Sequence, residues 1–291
     1  MMSEGKRQPR ALAGAVLLTM LCAAWATSVS AGALDRIRQD KVIRLAYRED
    51  APPFSYKDNI GEPAGYMVDL CRAIAKDLAK QQQFTDLSVV YVPVTAVNRF
   101  DAIQQDKADL LCEPTSATLS RRKLVDFSIA TYIDGASLMI RVDGPRDVKS
   151  LAGLKVGVLG ATTTERELRE TLKSYAVDAQ VIVAKTHAEG LTMMDDGAIS
   201  AYFADRDILT TLIKNSKAPE KLAVAENYLT IEPYALALPH GDDDFRLAVD
   251  QAISHIYRSG QIGAIFARNF GTNTKPNGLL AALYLISGLP D

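Results

Sequence analysis

Two stretches of this chain repeat one rhythm, and that repetition limits the fold more than any other feature. Short β-rich runs at residues 42–46, 87–94 and 108–112 alternate with helical patterns, which points to an α/β layered arrangement. Met67, Leu70, Cys71, Ile74 and Leu78 recur at helical spacing and predict one buried helix face. The rhythm restarts after Gly153. A strand at 155–159 leads to a helix from about Thr163, a strand at 181–184, a helix from about His187 closing at Gly197, and a strand at 201–204. The joins at 132–140 and 231–238 also read as strands, with no low-complexity linker between the units, so two lobes meeting at a defined hinge are expected. A long amphipathic helix at 243–259 and a shorter one after Gln261 follow. The final apolar run, 279–289, is too short to span a bilayer and is expected to pack against a lobe.

The N-terminus carries a different message. Lys6, Arg7 and Arg10 precede an apolar run at 11–26 and small residues at 27–33, the pattern of a secretory signal peptide cleaved after Ala31 or Ala33. An uncleaved anchor is the alternative, for which the run is short; Cys22 follows Leu21 and makes a poor lipoprotein site. Loss of the leader leaves 30 basic and 34 acidic residues, a mildly acidic balance that does not suggest a nucleic-acid partner. A periplasmic location follows as an expectation. Cys71 and Cys112 remain, in a compartment where a disulfide could persist. Their settings, an apolar helix face and a strand end, are read as two buried thiols. No CxxC pair occurs and His187, His240 and His255 lie far apart, so neither a metal nor a cofactor is expected.

Three motifs carry chemistry. In TSATLSRRKLVDFS, Ser116, Thr118 and Arg121 follow an apolar strand; a guanidinium fork beside hydroxyls and backbone N–H groups can cradle a carboxylate, whereas a solvated Arg after a turn is the bland reading. In LKVGVLGATTTERELRE, a strand ends in a glycine turn and threonines open a helix, so the N–H groups at residues 162–164 either bind an anion or are simply capped. In AYFADRD, an apolar strand delivers Asp205 at its C-terminal end, to accept from an ammonium or to cap the next helix. Together these describe a receptor for a zwitterion: Arg121 and the Thr163 helix end for the α-carboxylate, Asp205 and Ser116 for the α-amine.

From LDRIRQDKVIRLAYREDAPPFSY through GYMVDLCRAIA and the three motifs to YALALPHGDDDFRLAVDQAI, the chain resembles the periplasmic solute-binding proteins of amino-acid ABC importers. The resemblance implies a type II, Venus-flytrap fold with two crossover strands: residues 1–33 as leader, 34–134 and 233–291 as lobe 1, and 135–232 as lobe 2. It is greatest to glutamate/aspartate-binding members. Arg48, Arg99 and His187 match positions where such members direct basic groups at an acidic side chain. Each also has a local alternative: Arg48 pairing with Glu49 or Asp50, Arg99 on a solvated helix face, and His187 capping a helix. The chain departs from the pattern at Glu113 and Pro114, where relatives carry small or hydroxylated residues, and at Ala96. Glu113 would repel an acidic ligand tail unless it pairs with Arg48 or Arg99. Phe54 is expected either to wall the ligand backbone or to pack in the core.

The resemblance therefore implies a binding protein rather than an enzyme, expected to be monomeric, which captures glutamate, aspartate or another polar amino acid and delivers it to an inner-membrane permease. A cyclohexadienyl dehydratase-like enzyme on the same scaffold, with Glu113 as general acid, and a soluble sensing module are the rivals.

Overall fold

A computed structural model describes residues 32–290, together with residues 1, 2 and 5. All but the last two residues of the leader reading, apart from those three, lie outside the described residues. In chain order the secondary structure is α1 (Ala33–Asp40), β1 (Val42–Arg48), β2 (Asp50–Ala51), β3 (Ser55–Lys57), β4 (Pro63–Ala64), α2 (Tyr66–Gln81), β5 (Ser88–Val94), α3 (Arg99–Gln104), β6 (Leu110–Leu111), β7 (Asp126–Asp134) and β8 (Ala136–Arg141). It continues with β9 (Lys155–Leu159), α4 (Thr163–Ser174), β10 (Gln180–Ala184), α5 (His187–Asp195), β11 (Ala201–Asp205), α6 (Arg206–Lys214), β12 (Leu222–Val224), β13 (Glu232–Leu238), α7 (Asp243–Arg258), α8 (Gln261–Phe270) and α9 (Gly278–Ser287).

Two five-stranded sheets organise the two lobes that the repeated rhythm predicts. One has the order β5-β1-β6-β13-β7 and the other β10-β9-β11-β8-β12. Within each, the central strands run parallel: β1 with β5 and β6, and β9 with β10 and β11. Strands β13 and β8 join antiparallel. Such parallel pairing buries both faces of a strand, and β9 is buried at four of its five positions.

The helix face read from the spacing is buried throughout: Met67, Leu70, Cys71, Ile74 and Leu78 on α2 are all at most 1% exposed. The C-terminal run forms α9 and packs inward through Leu280, Leu283 and Tyr284, with the Tyr284 and Tyr66 hydroxyls 2.8 Å apart. Among the described residues no helix is long and apolar enough to cross a membrane.

The chain passes between sheets at the β7–β8 join and on the way into β13. At Gly135 the two passages touch. A Cβ there would overlap the carbonyl oxygen of Thr230, so only glycine permits this approach. Around it, Asp134 accepts from Asp207 N at 3.2 Å and Tyr132 donates to Asp207 Oδ2 at 2.7 Å. Burial raises both carboxyls above their ordinary range.

The cysteines correct the reading of two buried thiols. Cys71 on α2 and Cys112 after β6 form a disulfide, with Cα atoms 6.1 Å apart. The 41-residue separation hides the pairing, because helix packing on the sheet, not local spacing, brings the two side chains within bonding range. In the chain-entropy account, closing a loop of that length contributes about 4 kcal/mol. The Cys71→Ser, Cys112→Ser double variant is expected to lose most of that, read as a lower denaturant midpoint with a steeper slope, because the denatured chain without its cross-link exposes more surface; a midpoint equal to wild type would refute the stabilising role.

Candidate functional site

The residues singled out in the sequence gather where the C-terminal ends of the parallel strands of both lobes face one another. Arg48 ends β1, Glu113 follows β6, and Arg99 opens α3. Opposite them, Thr163 opens α4 after β9, His187 opens α5 after β10, and Asp205 ends β11. This is where loops in open α/β sheets collect ligand groups. The lobes close over a cleft with only about 20 Å³ of free volume, and all six of these residues line it, as do Ser116 and Arg121.

One wall is a buried charge cluster. Arg48, Arg99 and Glu113 are 3%, 3% and 1% exposed. The Arg48 guanidinium donates through Nε and Nη2 to Asp50 Oδ1, at 2.8 and 2.6 Å, so the local pairing with Asp50 exists beside its place in the cleft. Its Nη1 stands 3.8 Å from Glu113 Oε2, and Arg99 Nε stands 3.4 Å from Glu113 Oε1. Neither distance comes with hydrogen-bond geometry: both Glu113 oxygens and Arg99 Nε lack a hydrogen-bond partner. Burial pushes Glu113 above its ordinary range while Arg99, Arg48 and Arg121 hold it down; burial also lowers Arg99 to about 10, opposed by Glu113. Far from being solvated, Arg99 donates to Ala96 O and, across the cleft, to Ala161 O at 3.2 Å.

The rest of the lining is less committed. Arg121 donates to Ser116 O at 2.8 Å, and its guanidinium lies 5.3 Å from the centre of the Phe100 ring, which also carries Arg99 at 4.8 Å. Burial lowers Arg121 despite the attraction of Glu113 and Glu232. Asp205 sits at the cap position of α6 but makes no side-chain capping bond. Burial raises it to about 6, against the pull of the Tyr234 hydroxyl and Arg121. Among the described residues, neither Arg121 nor Asp205 has an ion-pair partner within 4 Å. Ser116 Oγ and Thr163 Oγ1 meet across the cleft at 3.2 Å. Thr162, not Thr163, caps α4 by accepting from Glu165 N at 3.0 Å, leaving the Thr163 end facing inward.

His187 is not the cap of its helix either; Thr186 is. The imidazole is 4% exposed, with Nδ1 3.1 Å from the Tyr202 hydroxyl, and its backbone N–H donates across the cleft to Asp50 Oδ2 at 3.3 Å. Burial, helped by Arg48, lowers it to about 3, so it is neutral and able to offer one donor or one acceptor.

Two of the candidates do not line this cleft. Phe54 takes its core alternative, edge-on to Tyr66, Tyr132, Tyr234 and Phe270 at centroid distances of 4.9–6.4 Å. Thr118 caps the turn at Arg121, accepting from its N–H at 3.2 Å, and lines an adjoining opening instead. Sequence reasoning missed Phe100, whose only signal is its place beside Arg99, and Tyr202, which reads as an ordinary core residue on β11.

Two lobes joined by crossing strands, with unpaired charges of both signs facing a cleft between them, define a two-lobe solute receptor. The chain belongs to the bacterial extracellular solute-binding proteins, family 3, whose model matches residues 43–272. It is 29% identical to the L-glutamate/L-aspartate-binding protein of Pseudomonas aeruginosa, over 93% of this chain and 90% of that one. It is equally 29% identical to the glutamate/aspartate import solute-binding protein of Escherichia coli, over 87% and 84%. Among solved structures, the ancestral amino acid-binding protein AncCDT-1, a precursor of cyclohexadienyl dehydratase, superposes with a TM-score of 0.71 at 25% identity, over 82% of this chain and all of that one.

The His187 assignment can be checked directly. Its ring proton resonances are expected to stay fixed between pH 8 and pH 5, because the folded value lies far below the ordinary one of about 6.5. A midpoint near pH 6.5 would mean that the ring is solvated.

Proposed function

We infer that this protein captures an amino acid between its lobes and hands it to an ATP-driven permease in the inner membrane. One observation carries the reading: Arg121 and Asp205, opposite in sign and free of ion-pair partners among the described residues, face one cleft from different lobes. An α-carboxylate completes the first and an α-ammonium the second. The Thr163 helix end adds neutral donors to the carboxylate, without further charge, and Ser116 joins Asp205 on the α-amine.

Binding would proceed on the Arg121 side first, and closure would then bring Asp205 and Thr163 onto the ligand. Water leaves, and each charged contact strengthens in the lower dielectric. Only the closed form would present the surface that a permease reads. The relatives named above are binding proteins, which supports capture rather than turnover. The disulfide suits an oxidising, periplasmic setting after export.

Arg121→Ala is expected to weaken amino-acid binding about a hundredfold, the loss of a charge-assisted pair of roughly 3 kcal/mol, with the melting temperature of the free protein little changed. Unchanged affinity by calorimetry would overturn the reading.

The pH dependence follows from Asp205. The charged groups that bear on it are Glu232, Arg121 and Glu113, beside the Tyr234 hydroxyl, and it gains its proton near pH 6 in the free protein. Below that value the ammonium loses its counter-ion, so affinity is expected to drop about tenfold from pH 7 to pH 5. Stability moves the other way: because the folded value lies above the ordinary 3.8, the unfolded chain releases this proton first, and the contribution of Asp205 declines as pH rises from about 4 to 6. Asp205→Asn should flatten the affinity profile; a profile as steep as wild type would remove Asp205 from the site.

A further inference from the structure

Glu113 occupies the part of the cleft where a ligand side chain has to go. Its carboxylate lies between Arg48 and Arg99, the two cations that would otherwise attract an acidic tail. The backbone that bears it is held in place, because Cys112 is tied covalently to α2. With Arg48 already matched by Asp50 and Arg99 by Glu113, the cations on this wall have no charge left over for a ligand carboxylate beyond its α-carboxylate, which falls to Arg121.

The unmet hydrogen bonds are as informative as the charges. Two acceptors, Glu113 Oε1 and Oε2, and one donor, Arg99 Nε, are buried without partners at the edge of the cleft. Unpaired buried polar groups of this kind are costly, and a ligand that supplies the missing partners gains accordingly. An acidic tail offers acceptors only, and sets a second carboxylate against Glu113. An ammonium or guanidinium tail offers donors but no acceptor for Arg99, and meets three arginines. A primary carboxamide matches the set: its NH₂ donates to Glu113 while its carbonyl accepts from Arg99.

Resting on the amino-acid reading above, we propose that Glu113 is a built-in counter-ion that sets specificity, rejecting acidic side chains and selecting an α-amino acid whose side chain ends in a carboxamide, glutamine or asparagine. Arg48 and Arg99, 3.8 and 3.4 Å from the carboxylate, favour the ionised form that this role needs, against burial, which favours the neutral one.

The test is calorimetric titration of the purified protein, freed of co-purified ligand by unfolding and refolding, with glutamine, asparagine, glutamate, aspartate, alanine and lysine. The wild type is expected to bind glutamine or asparagine at least tenfold more tightly than the matching acid and than lysine. Glu113→Gln, which keeps the shape and removes the charge, is expected to lower that amide-over-acid ratio at least tenfold, and Glu113→Ala to lower it as well, with folding of each variant checked by its melting curve. Equal or tighter binding of glutamate by the wild type overturns the proposal, and so does a ratio left unchanged in a folded variant. If an amino acid outside the carboxamides binds best, this proposal falls and the amino-acid reading stands; if none of the six binds the wild type, both fall.

Discussion

Everything in this molecule turns on how closely its two crossing segments pass. At Gly135 the chain leaving the first sheet lies against the backbone at Thr230, close enough that any side chain would collide. Register is set there. Asp205 pairs with Ala136 directly beside the crossing, and Arg206 N donates to Gly135 O at 3.0 Å. The passage that joins the lobes therefore also fixes where the carboxylate of the second lobe stands. A hinge built this way would turn about that close contact and bring the same groups back to the same places on each closure.

The fold was legible because it rests on short-range signals. Periodicity on α2, the strand runs and the N-terminal threonines of α4 are all local, and the structure places those elements within a few residues of the expected bounds. Strand β6 is shorter than its apolar run, reduced to Leu110–Leu111, with Cys112 N still donating to Ala46 O at 2.7 Å before the chain turns into the cleft. What could not be read was non-local. The partner of Cys71 lies 41 residues away, and the fate of Phe54 depended on four aromatic rings from Tyr66 to Phe270 closing around it.

The site shows the same division. That Arg121 and Asp205 carry opposite charges at element ends was visible in the motifs, and that they share a cleft follows from the strand order. The behaviour of Arg48 was not decidable from its neighbours, since Glu49 and Asp50 are both adjacent acids; the backbone sends Glu49 towards Lys57, at 3.1 Å, and Asp50 towards Arg48. Burial turned His187 from a candidate cation into a neutral ring. Desolvation of that size depends on what the second lobe stacks over the imidazole, which no window of sequence around residue 187 contains.

Arg99 holds the wall of one lobe and also donates to the carbonyl of Ala161 on the other. Under the binding reading proposed above, one guanidinium would take part in two decisions, which molecule is held and whether the jaws stay shut. A solute that draws Arg99 away from Ala161 would bind without latching, and one that leaves it in place would be sealed in. Selection can then act after capture as well as during it: two solutes of equal affinity would differ in how long the protein stays in the form that a membrane partner can read.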